Sequence, residues 1–182
     1  MKRILTTILA LVFVFDFMGA VAPVSAQPAD TRSRQIAKYG DWRVVQKRGN
    51  YAIVGSGKTG SYKVCSAVFF GQNAQLEFEV KNDQAWGVYV GKKGWSYQPH
   101  RAKMALRAGG KTIRLMGVYG GSMISAASHD LMAGQRVPLS TLKSLVAQKA
   151  NISVLDKSGR NLVTFAAKGS DLSQALARAQ KC

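Results

Sequence analysis

Leu76-Glu77-Phe78-Glu79-Val80 alternates apolar and acidic side chains with a period of two. A strand with that alternation turns Leu76, Phe78 and Val80 to one face and both glutamates to the other. It belongs to a sheet with one face in a core, the usual setting of antiparallel strands. Working outward, Tyr62–Phe70 and Trp86–Val90 are apolar-rich strand candidates on either side, with Asn82-Asp83 as a turn. Earlier, Trp42–Gln46 and Tyr51–Val54 read as short strands around an Arg48-Gly49-Asn50 turn. Later, Lys92-Lys93-Gly94 marks a turn, and Trp95-Ser96-Tyr97 opens a strand that stops near Pro99. Lys103–Arg107, Gly109-Gly110 and Thr112–Met116 read as a hairpin.

The last third changes period. Leu142, Leu145 and Val146 fall at helical spacing within Ser140–Gln148, with Ser140 as the N-cap. Ile152–Leu155 and Leu162–Phe165 flank Asp156-Lys157-Ser158-Gly159-Arg160, a strand–turn–strand pattern. Ser170-Asp171 then caps a closing helix that carries Leu172, Ala175, Leu176 and Ala179. The expected fold is α+β and β-rich, an antiparallel sandwich or half-barrel with a C-terminal helix–hairpin–helix segment.

Lys2 and Arg3, the apolar run Ile4–Met18 and the small residues of Val24-Ser25-Ala26 form the three parts of a secretory signal. The domain plan is therefore a signal peptide over 1–26, a polar flexible arm over 27–38 and one folded domain over 39–182. The expected address is the periplasm, cell surface or medium, with no transmembrane segment after cleavage. The 182 residues hold 26 Lys and Arg against nine Asp and Glu, a formal charge of +17. Removing Lys2, Arg3 and Asp16 leaves 24 basic and 8 acidic residues, or +16. So basic a chain favours polyanionic partners, and outside the cytoplasm those are envelope or host-surface glycans and lipids rather than nucleic acid. Other exported proteins are the remaining class of partner.

Two cysteines, Cys65 and Cys182, fit a disulfide in an oxidising compartment. Two free thiols, or an intermolecular bond through Cys182, are the alternatives.

Residues 52–59, Ala-Ile-Val-Gly-Ser-Gly-Lys-Thr, fit a relaxed phosphate-loop pattern. Ser61-Tyr62-Lys63-Val64-Cys65, just downstream, reads as strand rather than the required helix, so a glycine-rich hairpin turn is the better reading. Two histidines and two well-separated cysteines give no metal-ligand spacing, and no cofactor is expected. A catalytic centre would have to be assembled from the Glu77/Glu79 pair, or from His129 with Asp130 or Asp156 and a serine, without a nucleophile elbow. The denser constellation runs from Trp86 to Arg114. Lys92, Lys93, Arg101, Lys103, Arg107, Lys111 and Arg114 are candidate anion ligands. Trp86, Trp95 and Tyr97 are candidate aromatic contacts for sugars or a membrane interface. Strand alternation alone does not decide which of these aromatic residues point into the core.

Tyr39-Gly40-Asp41-Trp42, together with Leu142–Val146, Ile152–Leu155, Gly159, Phe165 and Gly169–Leu176 in the last third, resembles the invasion-associated locus B family of exported bacterial proteins. The resemblance spans Tyr39 to Cys182 and is loosest between Gly71 and Gly110. That family commonly has a cysteine shortly after the tryptophan, where this chain has Val44-Val45-Gln46. The resemblance implies a non-enzymatic periplasmic or surface-associated protein, linked in pathogens to host-cell entry. The expected function is thus an exported binding or envelope-associated protein that engages anionic glycans or lipids. A small periplasmic hydrolase acting on cell-wall or glycan material is the alternative.

Overall fold

The computed structural model describes residues 29–52, 59–81, 85–166 and 169–182. The signal-peptide segment, most of the phosphate-loop-like stretch and the Asn82-Asp83 turn lie outside the described residues. Among the described residues, ten strands form one antiparallel sheet that does not close into a barrel. They are β1 (Ala29–Tyr39), β2 (Trp42–Ala52), β3 (Thr59–Phe70), β4 (Ala74–Val80), β5 (Trp86–Lys92), β6 (Tyr97–Ala108), β7 (Lys111–Gly121), β8 (Met123–Ala127), β11 (Ile152–Leu155) and β12 (Asn161–Phe165). Their order across the sheet is β1-β2-β3-β4-β5-β8-β7-β6-β11-β12. A two-residue pair, β9 (His129–Asp130) and β10 (Gln135–Arg136), brackets a 3-10 turn at Leu131–Ala133. Helices α1 (Leu139–Val146) and α2 (Gly169–Gln180) supply the second layer, α2 over β1–β4 and α1 over β6 and β7.

The β4 alternation positions the core. Leu76 and Phe78 are fully buried, and in register they continue as Phe69, Val90 and Ile124 in one row and Ala67, Val88 and Ala126 in the next. Leu142 and Leu145 of α1, and Leu172, Ala175 and Leu176 of α2, close over that face. The β-rich α+β fold with its helix–hairpin–helix end is therefore the observed one.

Four local expectations are corrected. Residues 29–38 are not a flexible arm but most of β1, paired to β2 from Ala29↔Asn50 to Tyr39↔Trp42. An edge strand is held by backbone bonds on one side and needs little apolar alternation, which is why a polar stretch can form one. Arg48-Gly49-Asn50 is not a turn, because β2 runs straight through it. A Cβ on Gly49 would stand 2.8 Å from the Tyr62 ring, so this glycine makes room for a cross-strand aromatic. Pro99 does not end its strand. β6 passes through it with a register shift between Tyr97 and His100, the irregularity that tolerates a proline. Finally, α1 begins at Leu139 behind Pro138, with no side-chain cap from Ser140.

Gly40, at φ +54°, makes the tight β1–β2 turn with Asp41. The Asp171 carboxylate, in the first turn of α2, fills the space that a Cβ on Gly40 would need. Tyr39–Trp42 and the start of the closing helix are therefore packed together. At the other end of α2, Cys182 is joined to Cys65 of β3, with Cα atoms 6.1 Å apart across 117 residues of sequence.

Candidate anion-binding surface

β6 and β7 pair with Lys103 opposite Met116, Ala105 opposite Arg114 and Arg107 opposite Thr112. Directly opposed residues share a face, so Arg101, Lys103, Arg107 and Arg114 all stand on the side away from the helices. β11 lies alongside with Ser153 opposite Arg107 and Leu155 opposite Ala105. The turn after β11 then brings Lys157 to the same place. Lys103, Arg107 and Arg114 line a shallow depression of about 270 Å³ with the Asp156–Gly159 turn. Among the described residues, none of Lys103, Arg107, Arg114 and Lys157 forms an ion pair.

The one acid at this rim is already committed. Oδ1 of Asp156 accepts from the Ser158 hydroxyl at 2.6 Å and from the Ser158 and Arg160 amides at 2.9 and 3.0 Å. Its Oδ2 accepts from Arg160 Nε at 3.1 Å. The Ser158 hydroxyl, ahead of the amides and the guanidinium, holds the Asp156 carboxyl below its ordinary pKa. The turn is thus fixed by its own acid, and its neighbours' cations are left to solvent.

The other candidate cations divide. Arg101 donates from Nη2 to Asp130 Oδ2 and from Nη1 to Met132 Sδ at 3.6 Å, so it is engaged within the chain. Lys111, opposite Ala108, is on the helix side, where it lines a separate depression with Ser140, Thr141 and Ser144 of α1. Lys92 donates to the Leu162 carbonyl at 3.3 Å and lies 6.0 Å from the Trp95 ring centroid. Lys93 is exposed, and its backbone amide donates to the Asn73 carbonyl.

Trp86 is corrected from surface contact to core. It is 2 % exposed, its indole Nε1 donates to the Val137 carbonyl at 2.9 Å, and Phe78 packs edge-on against it. Trp95 and Tyr97 are half-buried against the core, their rings 5.3 Å apart. Tyr97 meets Tyr119 edge-on at 5.2 Å, and His100 stacks on Tyr119 at 4.7 Å. Burial pushes both tyrosine pKa values up. These aromatics brace the strand around Pro99, with Trp95 and Tyr97 partly buried and His100 exposed.

The residues considered for catalysis are also spoken for. Ser128 is fully buried, and its Oγ accepts the Trp86 amide and lies 3.0 Å from His129 Nδ1. Asp130 pairs with Arg101 and caps the 3-10 turn, rather than orienting its neighbour His129. Glu77 is buried against Lys47. Burial raises the Glu79 pKa, and Lys81 and Lys47 counter part of that rise. Among the described residues, no group of three or more His, Cys, Asp or Glu could hold a metal ion. No helix of the described residues is long and apolar enough to cross a membrane.

Lys157 is not among the cations that the sequence singles out, because a turn lysine is ordinarily solvated. Only the pairing of β11 with β6 gathers it with the others. No family model matches this chain, and no curated protein or solved structure is significantly similar to it.

Proposed function

We propose that this chain is an exported, non-enzymatic binding protein that holds an anionic glycan or lipid of the envelope or of a host surface. The address rests on the sequence of residues 1–26, and the reading agrees with the resemblance to the invasion-associated locus B family. One observation carries it: Lys103, Arg107, Arg114 and Lys157 surround one depression without ion-pair partners among the described residues. Several cations held on a rigid sheet neutralise a polyanion with little ordering cost, and guanidinium groups match phosphate and sulfate oxygens in bidentate fashion.

A hydrolase comes second. Its support is the Glu77/Glu79 face with the raised Glu79 pKa, but Glu77 is committed to Lys47.

The test is retention on immobilised heparin and on lipopolysaccharide under a salt gradient. The charge reversal K103E/R107E/R114E should elute at much lower salt than the wild type, with a shallower salt dependence. Equal retention and an equal salt slope would overturn the reading.

A further inference from the structure

We propose a second, separate anion site beside the disulfide, built to take a phosphate monoester. It shares no residue with the β6–β7 surface and does not rest on the function proposed for it. Across the first three strands, Arg34 of β1 stands opposite Gln46 of β2, and Gln46 opposite Cys65 of β3. One step along the same face, Arg48 of β2 stands opposite Lys63 of β3. All of them are on the side that carries α2. The C-terminal end of α2 then adds Arg178 and Lys181. Arg34, Lys63, Arg178 and Lys181 line an open pocket of about 490 Å³ together with Gln46 and Cys182.

Two physical points make this more than a basic patch. Like charges directly opposite on neighbouring strands are destabilising, and Arg48 and Lys63 are such a pair. Among the described residues, no ion pair offsets Arg34, Arg48, Lys63, Arg178 or Lys181. The backbone beneath the site is also cross-linked. The Cys65–Cys182 bond ties the end of α2 to the sheet, and buried Gln46 donates from Nε2 to Cys182 Sγ at 3.0 Å. The backbone positions that carry these cations are thereby tied around one space before any ligand arrives. That space has the size of small-ligand pockets and exceeds what a lone tetrahedral anion fills. A phosphate carried on a sugar fits both the charge and the room.

Titration calorimetry on the disulfide-intact protein, with inorganic phosphate and with glucosamine 6-phosphate as probes, tests this. Saturable binding is expected. R34Q/K63Q and, from a different element, R178Q should each weaken it by about tenfold or more, as lost charge-assisted bonds do. R107Q/R114Q, on the other surface, should leave it within about twofold. Tighter binding of the sugar phosphate than of inorganic phosphate is expected, and equal binding of the two would overturn the assignment to a monoester. Absence of saturable binding to either probe, or equal losses in R34Q/K63Q and R107Q/R114Q, would overturn the proposal.

Discussion

Lys47 on β2 and Glu77 on β4 meet across the strand between them, Nζ to Oε1 at 2.5 Å, with the glutamate side chain 6 % exposed and the lysine 31 %. The two ends of this ion pair are solvated very differently. Removing the lysine strands a carboxylate where water hardly reaches it. Removing the carboxylate leaves an ammonium that can swing outward on its long stem.

Lys47→Met should therefore destabilise the protein by about 3 kcal/mol, the lower end of the cost of an uncompensated buried charge. Glu77→Gln, which keeps the shape and an acceptor, should cost only about 1 kcal/mol. Urea denaturation of both variants at neutral pH measures the difference. Equal costs would show that the carboxylate has another source of solvation.

Glu79 gives a pH signature. Burial is the first cause of its raised pKa, so the folded state holds its proton more tightly than the unfolded chain does. Where the folded-state pKa exceeds the unfolded one, stability is fully present below the unfolded value and declines as pH rises through the folded one. Glu79→Gln should remove that decline, making the variant gain stability relative to wild type between about pH 4 and pH 7. Denaturant midpoints at those two pH values are the measurement. A wild-type advantage that grows with pH would mean that Lys81 and Lys47 outweigh burial.

The Cys65–Cys182 bond closes a loop of more than a hundred residues, and on the chain-entropy argument it stabilises by about 4–5 kcal/mol. Cys182→Ser should lose most of that, and reduction should lower the wild type to the level of the variant. A loss under about 1 kcal/mol would mean that α2 stays docked through Leu172, Ala175 and Leu176 alone.

How far these features are legible in the sequence depends on what each residue answers to. Period-two alternation in Leu76–Val80 and helical spacing around Leu172–Ala179 identify the core faces, because burial selects side chains directly. β1 leaves no such trace, since a polar edge strand is specified by its partner's backbone and not by its own pattern. Gly49 misleads because its missing side chain serves the Tyr62 ring rather than a turn. The cations from Trp86 to Arg114 are grouped by nearness in sequence. Strand parity sends Lys111 to one face and Lys103, Arg107 and Arg114 to the other. Arg34, Lys63 and Arg178 are far apart in sequence and come together only through the order of β1, β2, β3 and α2.

β1 also bears on how copies of this chain behave in a crowded compartment. Among the described residues no strand pairs with its outer side, the kind of edge on which a second sheet can template itself. Arg32, Arg34 and Lys38 lie along that edge, and a break in register near Ile36 interrupts its regular spacing. Two such edges approaching each other would bring Arg34 and Lys38 of each copy together on mismatched ladders, an arrangement of charge and register that opposes edge-to-edge pairing.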